Sequence, residues 1–207
     1  MKNIIFDWSG VIKDAFKSHL WVVNTIFKKY GLKELNFDEL KDEWEEPFML
    51  FFNKYLPNMT LEEEQTLYRE GIQDKDYPKS EVYPGIVELI KKLKTSGNYI
   101  AMITSDLSES IFPEIKQFGL ENIFGDVIVK VHDKTEALER LIKKNALKLD
   151  ETFIVGDSNN EITSANNLGI KSIAVTWGFA TGDGLISAKP NFLVHNIKEL
   201  EQVIVNN

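Results

Sequence analysis

The feature that most constrains this chain is an alternation. Short β-branched runs, each closed by polar or glycine residues, take turns with amphipathic helical stretches over most of its length. Asn3–Phe6, Tyr99–Ile103, Val127–Val129, Thr152–Val155 and Lys171–Val175 read as buried strands, and Phe192–Val194 as a weaker sixth. Between them, Pro84 predicts a helix start at the first-turn position and Gly97 a left-handed stop. Ser108 to Phe118, closed by Gly119, predicts a second helix, and Thr135 to Asn145 a third. Strands separated by helices imply parallel pairing, because parallel neighbours need a crossover. The expected fold class is therefore α/β, a doubly wound, mostly parallel sheet. Sheets of this kind gather reactive groups at the carboxyl ends of their strands.

Residues 15–80 break the rhythm, being helical in pattern with no credible strand. Ala15–Tyr30 ends at Gly31, and Asn36-Phe37-Asp38-Glu39 and Thr60-Leu61-Glu62-Glu63 are capping-box starts. Pro47 is placed to open a helix carrying Phe48, Leu50, Phe51, Phe52 and Tyr55. The expected organisation is a core of residues 1–14 and 81–207 with an inserted helical cap of residues 15–80. The cap aromatics in PFMLFFNKYL are expected to form the insert's own core. Lys54 and Arg69 are cations that could meet an anionic substrate, with plain surface positions as the simpler reading.

Composition narrows the function classes. The 207 residues carry a formal net charge of -8 and a pI near 5.0, which disfavours nucleic-acid partners. The absence of cysteine removes disulfides and thiolate metal sites. The first apolar run is too brief for a signal peptide, and no segment approaches the ~20 apolar residues of a membrane helix. A soluble, cytoplasmic protein with neither nucleic-acid nor membrane partners is expected; oligomeric state is not legible.

Residues with chemistry cluster at predicted strand ends. Asp7 follows the first strand in IIFDWSGVI, and Thr104 follows the second in IAMITSD. Lys134 opens a helix in VHDKTEAL, and Asp157 and Glu161 follow the fourth strand in FIVGDSNNE. A doubly wound sheet brings these ends to one crevice. Taken singly, each has a local alternative: Asp7 as a turn former, Thr104 as a helix N-cap, Lys134 as a solvated helix-start lysine, Glu161 as a favourable charge at a helix N-terminus. Trp8 either shapes the site or simply packs. His19, His132 and His195 lack the mutual spacing of metal ligands.

Together, these motifs resemble the haloacid dehalogenase-like superfamily, with its Rossmann-like core. Within it, they are most similar to the small, phosphoglycolate-phosphatase-like enzymes with a helical cap after the first motif. YPGIVELIKKLKTSGNYIAMITS and GDSNNEITSANNLGIKSIAVTWG extend the resemblance to nearly the whole chain. It implies a Mg²⁺-dependent phosphatase of a small phosphorylated metabolite. Asp7 would be the nucleophile forming an aspartyl-phosphate. Asp7 and Asp157 would bind the metal through carboxylates and Ser9 through its backbone carbonyl. Lys134, Thr104 and Ser105 would bind the phosphate, with Glu161 acting behind them or through water.

Ser9 is the departure. The family's phosphatases carry an aspartate two residues after the nucleophile as general acid and base, help typically worth ~10²–10⁴-fold in rate. A serine hydroxyl serves neither role well at neutral pH, so a slow or specialised enzyme is expected. DWSGV is also similar to the DWAGT of phosphonate hydrolases, though the cap lysines lack the glycine–lysine–histidine context of their Schiff-base residue. Carbon–phosphorus bond cleavage and an inactive phosphate-binding or regulatory relative therefore remain as alternatives.

Overall fold

The computed structural model describes residues 1–45, 48–180 and 182–207. The chain divides into two compact units, residues 1–14 with 82–207, and residues 15–81.

The larger unit is built on a six-stranded sheet. Its first strand is β1 (Asn3–Phe6); the two-residue strands β2 (Lys13–Asp14) and β3 (Glu81–Val82) lie outside the sheet. The remaining members are β4 (Tyr99–Ile103), β5 (Asp126–Ile128), β6 (Thr152–Gly156), β7 (Lys171–Val175) and β8 (Phe192–Val194). The order is β5-β4-β1-β6-β7-β8, and every pairing is parallel. Alternate residues of each central strand enter different cores. Ile4, Phe6, Ile100, Met102, Phe153 and Val155 pack on one face. Ile5, Ala101, Ile103 and Ile154 pack on the other. Burial on both faces explains why these strands read as continuous apolar runs. The doubly wound α/β expectation holds.

Helices α5 (Ile86–Thr95), α6 (Ser108–Gln117) and α10 (Ile197–Asn206) cover the first face, and α7 (Lys134–Asn145) and α8 (Asn159–Leu168) contribute to the second. Helix α5 does not begin at Pro84. Gly85 is its N-cap at φ +87°, a left-handed setting that suits glycine, so Pro84 lies outside the helix. Helices α8, α9 (Gly182–Ser187) and α10 add to the three helices expected in this unit; α10 starts where the Asn196 side chain accepts the Glu199 N–H.

In the smaller unit, α1 (Phe16–Lys29), α2 (Phe37–Glu43), α3 (Met49–Tyr55) and α4 (Leu61–Ile72) are helical as the sequence suggests. Asn36 and Glu39 complete a capping box, and Thr60 accepts the Glu63 N–H. The opening read at Pro47 lies outside the described residues. Phe27, Trp44, Phe51, Phe52 and Tyr55 form an aromatic core, with Phe51 fully buried. Lys54 is committed to Glu43, with Glu45 at 3.8 Å. Among the described residues, no helix is long and apolar enough to cross a membrane.

Candidate active site

Three adjacent parallel strands set the site. In register, Phe6 faces Met102 of β4 and Val155 of β6, so the carboxyl ends of β1, β4 and β6 lie side by side. Asp7 continues the sheet, its N–H bonded to Val155 O at 2.9 Å. The chain then turns sharply: the Trp8 carbonyl accepts the N–H groups of Ile12 and Lys13, both at 2.9 Å. This turn presents Asp7 and Ser9 above the strand end, while Trp8 points down into the core. Trp8 is fully buried; its Nε1 donates to Glu114 Oε2 at 2.8 Å, and Lys13 Nζ holds Glu114 Oε1 at 2.7 Å. Trp8 therefore packs and anchors the turn.

Lys134 is no solvated lysine. It opens α7 behind the Asp133 N-cap, is 5 % exposed, and donates to Asp7 Oδ1 at 3.0 Å and to Glu161 Oε1. Glu161 closes a capping box at the start of α8, where its Oε2 accepts the Ser158 N–H at 3.0 Å and hydroxyl at 2.5 Å. One carboxylate thus serves as helix cap and as a tether for Lys134. A buried ammonium between two carboxylates compensates charges that would each be costly alone.

Asp157 lies one residue past β6 and is 2 % exposed. Its Oδ2 accepts the Phe179 N–H at 2.7 Å. Two glycines make room for it: a Cβ on Gly10 would stand 2.6 Å, and one on Gly178 2.5 Å, from Asp157 Cγ. The segment carrying Gly178 is tied back in turn. Tyr83 Oη donates to Trp177 O at 3.0 Å, and Trp177 Nε1 donates to Val11 O at 3.3 Å. Burial, with the Asp14 and Asp157 carboxylates, pushes the Tyr83 hydroxyl pKa up, keeping it a donor.

Thr104 is buried at the end of β4, with half-buried Ser105 next to it, and it is not a helix N-cap; Leu107 takes that position for α6. Its hydroxyl instead donates to Asp106 Oδ2 at 3.1 Å, and the same oxygen accepts the Ser9 hydroxyl at 2.6 Å. Asp106 was not singled out from sequence, although a carboxylate two places after Thr104 was visible in ITSD. The Gly178–Phe179 support of Asp157 was equally invisible, because glycine and a backbone N–H carry no chemical signature. Among the described residues, no three or more His, Cys, Asp or Glu side chains converge as a metal-binding group. His195 Nδ1 pairs with Thr176 Oγ1 at 3.1 Å, and His19 Nδ1 lies 3.1 Å from Ala15 O.

Asp7 and Asp157 thus stand at the ends of two neighbouring parallel strands, and the buried Lys134 is held between Asp7 and Glu161. The family profile described as "Haloacid dehalogenase-like hydrolase" matches residues 4–175, and the chain belongs to that family. It is 23% identical to a phosphoglycolate phosphatase of Vibrio parahaemolyticus, over 99% of this chain and 96% of that one. It is 26% identical to the pyrophosphatase PpaX of Bacillus cereus, over 100% and 97%. Its fold is similar to the crystal structure of a predicted phosphatase from Clostridium acetobutylicum, with a TM-score of 0.88, 23% identity and full coverage of both chains.

Proposed function

We propose that this protein is a Mg²⁺-dependent phosphatase that acts on a small phosphorylated metabolite through an aspartyl-phosphate on Asp7. The observation that carries the reading is the Lys134 Nζ–Asp7 Oδ1 bond of 3.0 Å at the end of the central strand. It holds a carboxylate and a cation together where a phosphoryl group would need both. Relatives named phosphoglycolate phosphatase and pyrophosphatase support the substrate class.

The donor set suits Mg²⁺. Asp7, Asp157 and the Ser9 carbonyl are hard oxygen donors, and Mg²⁺ takes one or two carboxylates while keeping several waters. Gly10 and Gly178 leave beside the Asp157 carboxylate the space that a Cβ at either position would fill. When bound, Mg²⁺ supplies positive charge against the phosphoryl oxygens. The protein does the rest. The Asp7 carboxylate attacks phosphorus, the ester oxygen leaves, and the phosphoryl group stays on Asp7. The Lys134 ammonium offsets charge between Asp7 and the incoming phosphate, and Glu161 keeps it there. The Thr104 hydroxyl donates a hydrogen bond to Asp106 in the structure, so its donation to a phosphate oxygen requires the hydroxyl to rotate.

Purified protein with Mg²⁺, screened against a panel of phosphorylated metabolites, is expected to release phosphate from small monoesters; no release from any member contradicts the proposal. A second expectation concerns the metal. Gly178→Ala places a Cβ against the Asp157 carboxylate and should weaken Mg²⁺ binding about 10–100-fold. Calorimetric titration of the protein with Mg²⁺ reads this directly. Unchanged affinity would remove Asp157 from the metal site.

A further inference from the structure

The Ser9 side chain has a partner in the Asp106 carboxylate. Its hydroxyl donates to Asp106 Oδ2 at 2.6 Å, and the Thr104 hydroxyl donates to the same oxygen at 3.1 Å. Asp106 is 8 % exposed and held from both sides of its own backbone. Its N–H donates to Thr104 Oγ1 at 3.1 Å, and its carbonyl accepts the Lys130 N–H at 3.0 Å. A carboxylate on the loop after β4 is thereby tied to the turn after β1. A hydroxyl has one proton and two lone pairs. Once that proton is committed to Asp106, Ser9 Oγ offers only lone pairs to anything else. It stands two residues from Asp7 as a fixed acceptor.

We propose that Asp106 is a positioning residue: by holding the Ser9 hydroxyl, it makes Ser9 Oγ the acceptor that orients the water hydrolysing the aspartyl-phosphate. The inference rests on the reading of Asp7 as nucleophile. In this step the water oxygen bonds to phosphorus, and the bond between phosphorus and the Asp7 oxygen breaks. The electron pair returns to Asp7 as carboxylate, and both water protons leave on the product, dihydrogen phosphate. No proton is transferred to Ser9 or Asp106. Their contribution is alignment of one O–H of the water, which suits phosphoryl transfer because its catalysis is mostly positioning and electrostatics. A serine that cannot take a proton is thus still useful, provided Asp106 fixes its direction.

The test uses the full chain with Mg²⁺ and an activated aryl phosphate, whose good leaving group makes hydrolysis of the phosphoenzyme the slow step. Rapid mixing then separates the burst of aryl alcohol, which reports phosphorylation, from the steady state, which reports hydrolysis. Asp106→Ala and Ser9→Ala should each leave the burst rate within a few-fold of the parent. Each should lower the steady-state rate on the order of 10²-fold, with phosphorylated protein accumulating. The double variant should be no slower than either single one. Asp106→Asn, whose amide oxygen still accepts the Ser9 proton, should recover most of the rate. Parallel loss of burst and steady state, additive losses, or an unaffected steady state would overturn the proposal. If thermal melting shows Asp106→Ala unfolded, Ser9→Ala and Asp106→Asn decide the matter alone. A parent protein that turns over without forming a phosphoenzyme refutes the Asp7 reading itself; one that forms it, with both variants unaffected, refutes only the role of Asp106.

Discussion

Asp7→Asn should abolish turnover, on the order of 10⁴-fold or more, while the protein keeps its fold. The magnitude follows from what is removed, since loss of a covalent nucleophile costs far more than loss of a positioning group. The amide has nearly the shape of the carboxylate but neither its charge nor its nucleophilic oxygen pair. The surroundings tolerate the change because Lys134 retains Glu161, so no buried ammonium is left unpaired. Steady-state rates on an aryl phosphate, beside thermal melting of both proteins, check the expectation. A loss below about tenfold with an unchanged melt would mean that Asp7 is not the attacking group.

Lys134→Met should damage stability and activity together. The parent buries one ammonium between Asp7 and Glu161, all three at most 5 % exposed. Removing the cation leaves two carboxylates uncompensated in a site with little access to water. Breaking a buried pair in this way typically costs ~3–5 kcal/mol, enough to move a urea midpoint clearly. Turnover should fall as well, because the Lys134 ammonium, 3.0 Å from Asp7 Oδ1, no longer offsets charge there. A second substitution separates the two effects. Glu161→Gln in the Lys134→Met background removes one stranded charge and keeps an acceptor for Ser158, so it should recover part of the stability and none of the rate. Equal stability of the single and double variants would mean that Glu161 is not strained by the loss of its partner.

Much of the fold was legible because the central strands are buried on both faces. Ile4, Ile5 and Phe6 are apolar in succession, and Gly97, Gly119 and Gly169 end helices or turns at positive φ. Four strands start and stop where their composition suggests, β6 runs one residue further to Gly156, and β5 is displaced by one residue, as Asp126–Ile128. Helix α9, GDGLIS, was not legible, since two glycines in six residues suppress any apolar period. Pro84 misled because a proline at a helix start and one just outside it look the same; only the left-handed Gly85 distinguishes them. In the site, residues recognisable by type and place (Asp7, Lys134, Asp157) were legible. Residues whose meaning lies in one tertiary hydrogen bond were not. The part of Asp106 lies in its bonds from Ser9 and Thr104, and that of Glu161 in its bonds from Ser158 and Lys134.

The central claim is that an attacking carboxylate at position 7 takes up the phosphoryl group. It is tested most directly by quenching the protein in acid during turnover of an aryl phosphate, digesting it, and locating the added phosphoryl mass. The account predicts that mass on the peptide carrying Asp7 and its absence in Asp7→Asn. Turnover with no modified peptide, or with the label on any other residue, would contradict it.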